Sequence, residues 1–118
     1  MPTVDYGPKV EREVERIRKS GGLTGRDREV LLRYRRDLEA EGLSEGRIFK
    51  VLIHTRKHAE ELGGRSLADA SEDDIKDLVV RVQRRDLAES TKCDYREILK
   101  RFFKWLNGGD YPKKVRWI

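Results

Sequence analysis

Ser44–Leu62 reads SEGRIFKVLIHTRKHAEEL, and this stretch decides the fold. Its apolar residues recur at helical spacing: Ile48, Val51, Leu52, Thr55, Ala59 and Leu62 share one arc. Phe49 and Ile53 fall on a second arc, more than about 100° away. A helix apolar on two sides is packed between neighbours, so this one belongs inside a multi-helix assembly. Ser44 supplies its N-cap and Gly63-Gly64 its stop. One strip stays polar: Arg47, Lys50, His54, Lys57 and Glu61.

The same grammar extends outward. Downstream, Ser71 and Asp74 form a capping-box start, and Ile75, Leu78, Val79 and Val82 follow at i, i+3, i+4 and i+7. Acidic Glu72, Asp73 and Asp74 open that helix, and Arg84 and Arg85 close it, both favourable to its dipole. A fifth helix begins at Glu89–Thr91 and ends at Leu106 before Asn107-Gly108-Gly109. Tyr95, Ile98, Leu99, Phe102 and Leu106 form its core arc, widened by Trp105, while Lys92, Arg96, Lys100 and Lys104 recur along one flank.

Upstream, Thr24 opens a helix with Asp27 as capping-box partner, buries Val30, Leu31, Tyr34 and Leu38, and stops at Gly42. A first helix from Pro8 to Lys19 carries Val10, Val14 and Ile17 on one stripe. Ser20-Gly21-Gly22 separates it, making it the least firmly attached. Strand-type alternation is absent, and the three prolines sit near the ends, at Pro2, Pro8 and Pro112. The expected fold is all-α: a compact bundle of four core helices plus an extra N-terminal helix. Residues 1–22 are expected as a helical extension, 23–109 as the domain proper and 110–118 as the start of a linker.

At 118 residues the chain makes one domain and can bury roughly two-thirds of its unfolded surface. Charged residues make up 42% of it, with 27 basic against 22 acidic, a net charge of +5. Residues 89–118 alone hold 8 basic and 4 acidic side chains, which is +4 of that total. Residues 46–59 and 98–109 contain no acid. Two long helices therefore each carry a basic strip. Such strips are ordinarily solvated surface, but an α-helix also fits the B-DNA major groove, and its cations release phosphate counterions.

Catalytic constellations are missing. His54 and His58 stand four apart, but no third ligand completes a metal set, and they read as partly exposed residues on the basic strip. Cys93 is the single cysteine, which excludes an internal disulfide, and it has no nucleophile motif around it. The glycine pairs are helix terminators, not phosphate loops. No cofactor is implied. No window approaches a membrane span and no signal segment opens the chain, so a cytoplasmic location is expected, with no membrane partner.

At the fifth helix a resemblance emerges. Leu87-Ala88-Glu89-Ser90-Thr91, then Ile98-Leu99-Lys100-Arg101-Phe102-Phe103-Lys104-Trp105-Leu106, resembles the last long helix of the core-binding domain of tyrosine recombinases, the phage-integrase family. That helix typically opens Leu-Ser-x-x-Thr and closes Phe-Phe-x-x-Leu. Leu43-Ser44 and the helix after it are similar to the family's earlier Leu-Ser-x-x-Thr helix, with Arg47 in place of Thr. Leu67–Ile75 is similar to the family's short Asp-containing link. The likeness spans about Leu23 to Leu106. Ala88 departs from the usual Ser, Lys92, Cys93 and Asp94 are untypical, and the first helix has no counterpart.

The resemblance implies a SAM-like module of a site-specific recombinase or integrase, working in DNA integration and recombination. It would grip double-stranded DNA at the recombination site through the major groove. Contacts would come from Arg47, Lys50, His54 and Lys57 on one helix and from Thr91, Lys92, Arg96 and Lys100 on the other. Catalysis in the family belongs to a separate C-terminal domain with a His-x-x-Arg motif and a nucleophilic Tyr. No His-x-x-Arg occurs here, so no catalytic residue and no enzyme activity are expected of this chain. Its partners would be DNA, that catalytic domain and other recombinase protomers. The competing reading is a helical protein–protein adaptor whose basic faces meet an acidic partner.

Overall fold

The computed structural model describes residues 5–118, and its elements among them are helical. Five helices run in order: α1 Gly7–Lys19, α2 Gly25–Ala40, α3 Glu45–Glu61, α4 Glu72–Arg84 and α5 Glu89–Leu106. Single 3-10 turns at Leu67–Asp69 and Lys113–Val115 precede α4 and follow α5. The all-α expectation holds, with α3 packed against α1, α2 and α5.

The caps explain most boundaries. Ser44 Oγ accepts from Arg47 N at 3.2 Å at the head of α3. Ser71 and Asp74 close both halves of a capping box, each at 3.1 Å. Gly42 ends α2 with φ +82°, a left-handed conformation suited to glycine, while Leu43 N reaches back to Leu38 O at 3.3 Å.

The start of α2 differs from a capping box. Thr24 Oγ1 accepts from Asp27 N at 3.1 Å, but the Asp27 carboxylate does not return to the cap. Instead it is buried and accepts from Leu67 N at 2.6 Å and Ala68 N at 3.2 Å. It thereby ties the turn before α4 onto α2, satisfying two amides far along the chain. Burial raises its pKa, and the two amide bonds oppose that shift.

The first helix is no loose extension. Val10, Val14 and Ile17 join the same core as the other helices. Glu13, in the same stripe, is fully buried and accepts from Arg56 of α3 through both Nε and Nη2. Arg56 also bonds Glu60 at 2.7 Å. Tyr6, at the head of α1, packs its ring 6.1 Å from Phe49, which accounts for part of the second apolar side of α3.

The segment 110–118 is likewise docked. Val115 is fully buried, and the 3-10 turn carrying it packs on α4. Lys114 Nζ donates to Ala70 O at 2.7 Å and lies 4.7 Å from the Phe103 ring centre. Trp117 stays exposed, its indole donating to Lys114 O at 2.7 Å.

At the centre, Tyr34, Phe102 and Trp105 form an aromatic cluster. Phe102 meets Tyr34 edge-on at 5.6 Å, and Trp105 lies 4.4 Å from Tyr34. Phe103 is as buried as Phe102, each 1% exposed. The sequence places Phe103 nearer the basic flank. In the structure Lys114 and Val115 fold back on that side of the bundle and help to enclose it.

Candidate nucleic-acid interface

Both long helices that carry basic strips are rigid parts of the bundle, and they meet at Tyr95. His54 of α3 stacks on the Tyr95 ring at 4.1 Å, and His58 meets the same ring edge-on at 5.5 Å. His58 is buried, with Nε2 3.1 Å from Tyr95 O. It belongs to the core arc, not to the exposed strip where its spacing from His54 placed it. Burial pushes the pKa of each imidazole down to about 4. For His54, Lys50 and Lys57 add like-charge repulsion. Both rings are therefore neutral at physiological pH, and His54 brings no positive charge to a phosphate.

Along the rest of the α3 strip, Arg47 and Lys57 are exposed. Neither has a carboxylate within 4 Å among the described residues. Lys50 is committed to Asp94 of α5 at 2.7 Å, which lowers the Asp94 pKa. Arg56, inside the same acid-free stretch, is turned the other way to Glu13 and Glu60.

On α5 the sequence-derived residues divide between two flanks. Asp94 faces α3, and Thr91 lies about 60° from it around the helix, on the same side. Lys92 and Arg96 lie about 160° from Asp94, and Lys100 about 120°. Their partners confirm the direction. Lys92 Nζ bonds Gln83 O of α4 at 2.9 Å, and Lys100 Nζ bonds Ile118 O at 3.1 Å. Thus Arg47, Lys50, His54, Lys57 and Thr91 come together beside the α3–α5 seam. Lys92, Arg96 and Lys100 form a separate flank toward α4 and the C-terminal segment. Exposed Ser90, Cys93 and Glu97 lie between the two.

The C-terminal segment adds what the sequence reading left out of the site. The Tyr111 ring is approached by Lys100 at 4.7 Å and Lys104 at 4.8 Å. Arg116 Nε donates to Tyr111 O at 3.0 Å. Lys104, Lys113 and Arg116 are exposed and extend the α5 flank. The cluster Lys113-Lys114-x-Arg116 was the available signal, but nothing local fixes where an uncapped tail will lie.

No group of three His, Cys, Asp or Glu side chains able to hold a metal occurs among the described residues. No helix there is long and apolar enough to cross a membrane. Cys93 is exposed on the outer face of α5. Comparison of the chain with protein-family models, with curated proteins and with solved structures gives no match.

Proposed function

We propose that this chain is a DNA-binding module, the core-binding half of a site-specific tyrosine recombinase. In this reading it sets α5 against the major groove of recombination-site DNA, in the cytoplasm. A catalytic domain and other protomers complete the machine, and the module itself performs no chemistry. The observation supporting it most is the placement of unneutralised cations on both sides of α5. Arg47 and Lys57 lie on the α3 side, and Arg96, Lys100 and Lys104 on the other. None of them has a carboxylate within 4 Å among the described residues. A helix in the major groove has phosphates along both walls, so the two strips would meet opposite walls. Lys50 and Lys92 are already paired with the carboxylates of Asp94 and Glu89, which leaves about five cations for phosphates.

Five contacts give a slope of log K against log salt near about −4.5 on random duplex DNA. Replacing Arg96 and Lys100 by Gln should flatten that slope by about 2 and weaken binding without shifting the urea midpoint. Arg12 and Arg16 on α1 serve as controls, because α1 packs on the opposite side of α3. Equal losses from the control pair would show that only general positive charge matters. The titration belongs at low salt, since a half-clamp binds weakly.

The adaptor reading draws on the same internal commitments, which leave fewer cations free. A salt-insensitive affinity for duplex DNA, beside tight binding to an acidic protein, would favour it.

A further inference from the structure

Glu97 stands halfway along the 18 residues of α5, on its outer face. It is exposed and lies about 140–160° around the helix from Tyr95, Leu99 and Phe102, which bury the inner face. Its ordinary partners on a helix are the cations at i+3 and i+4, Lys100 and Arg101. Neither takes it. Arg101 Nη2 donates to Glu41 at 3.1 Å, and Lys100 Nζ donates to Ile118 O at 3.1 Å. Among the described residues the Glu97 carboxylate has no cation within 4 Å.

An unpaired carboxylate serves no purpose on a face that meets phosphates alone. Its position on α5 is particular. Lys100 lies about 60° to one side of it and Arg96 about 100°. On the other side Asp94 lies about 60° away, holding Lys50 of α3. With α5 in the major groove, those two sides face the phosphate walls and the line of Glu97 faces the base-pair edges. A carboxylate brings acceptors only, so guanine N7 and O6 and thymine O4 repel it. The donors in the groove are the N6 amino group of adenine and the N4 amino group of cytosine. Beside the adenine amino group stands the N7 acceptor, whereas beside the cytosine one stands a C5–H. Cytosine is the better match.

We propose that Glu97 reads sequence for this module: its carboxylate accepts from the N4 amino group of a cytosine in the major groove, selecting a C·G pair where the middle of α5 lies. The base preference rests on the DNA-binding reading and adds what the cations cannot supply. Arg47, Lys57, Arg96, Lys100 and Lys104 would meet phosphates, which are alike at every step and fix position without specifying sequence.

The test selects bound duplexes at low salt from a pool randomised over one helical turn, about 10 base pairs. It uses the unaltered chain, Glu97→Gln and Glu97→Ala. Glu97 is exposed and unpaired, so the three should share one urea midpoint. The unaltered chain should enrich C·G at one position, and each other pair placed there should bind about fivefold or more weakly. Glu97→Gln should move the preference at that position to A·T, because a glutamine amide pairs with adenine N6 and N7. Glu97→Ala should lose the preference there and at no other position. Equal tightening of every sequence in both variants would overturn the proposal, since Glu97 would then be a repulsive surface charge and nothing more. An unchanged preference in either variant would overturn it too. A salt slope of about −4.5 without any base preference would defeat the role of Glu97 and leave the DNA-binding reading standing, whereas no salt-dependent binding to any duplex would defeat both.

Discussion

Glu13 tests whether α1 is part of the folding unit. Its side chain is fully buried, and the Arg56 side chain that receives it is 11% exposed. Glu13→Gln removes the charge and keeps the shape. Breaking a buried pair from one side typically costs about 3–5 kcal/mol, because the remaining charge is left without its partner. Here Arg56 keeps Glu60 at 2.7 Å, so the expected loss is at the lower end, about 3 kcal/mol. With a urea slope of about 1.5 kcal/mol/M, the midpoint should fall by about 2 M at pH 7. Glu13→Leu combined with Arg56→Leu should recover most of that loss, since an apolar pair avoids desolvating two ions. Glu15, exposed and paired with Arg18 at 2.7 Å, is the surface comparison, and Glu15→Gln should cost less than about 1 kcal/mol. The reasoning fails if Glu13→Gln and Glu15→Gln move the midpoint equally, or if the double leucine variant is no better than Glu13→Gln alone.

Further outcomes can be measured in the same assay. Phe102→Ala and Phe103→Ala should each cost about 3–5 kcal/mol, since both rings are fully enclosed; a loss at Phe103 under half of that at Phe102 would contradict its equal enclosure. His58 is held neutral with a pKa of about 4 against 6.5 when unfolded. The unfolded chain therefore binds the extra proton first, and stability falls as pH drops from about 6.5 toward 4. At pH 5 the loss from His58 is about 2 kcal/mol, and a flat profile between pH 7 and pH 5 would contradict its burial. Asp27→Ala should cost about 2–4 kcal/mol by orphaning Leu67 N and Ala68 N, with Asp27→Asn milder because its carbonyl can still accept. Hydrogen exchange at those two amides should accelerate in Asp27→Ala more than at Leu99.

Local signals were strong wherever a helix carried its own punctuation. Ser71 with Asp74, Ser44 before α3 and Gly42 after α2 are readable because cap and partner are close in sequence. Charged and polar residues inside apolar arcs were harder. Glu13 stands at i+3 from Val10, and His58 at i+3 from Thr55, so each occupied a core position in plain view. Periodicity counts apolar residues and passes over a carboxylate or imidazole whose partner is remote. For Glu13 that partner is Arg56, and for His58 it is the Tyr95 carbonyl. Asp27 misled in the same way, since a nearby cap and a distant turn compete for one carboxylate. The basic strips were legible as strips, but their angular relation was not. It depends on which side of α5 receives α3, a question of tertiary packing that Lys50 and Asp94 answer.

Tyr95 also sets a mechanical constraint. Its ring takes His54 on one side and the edge of His58, its carbonyl meets His58, and the Arg85 guanidinium lies 5.6 Å from its centre. Rolling α5 about its axis would break all of these together, so its orientation relative to α3 is locked. The two cation flanks then behave as fixed prongs. A partner gripping both must match their spacing, and the adaptation falls on the partner: a duplex would have to adjust its groove width or bend, favouring sequences that deform at low energy. Such binding buries surface without coupled folding, and its heat-capacity change should be correspondingly small.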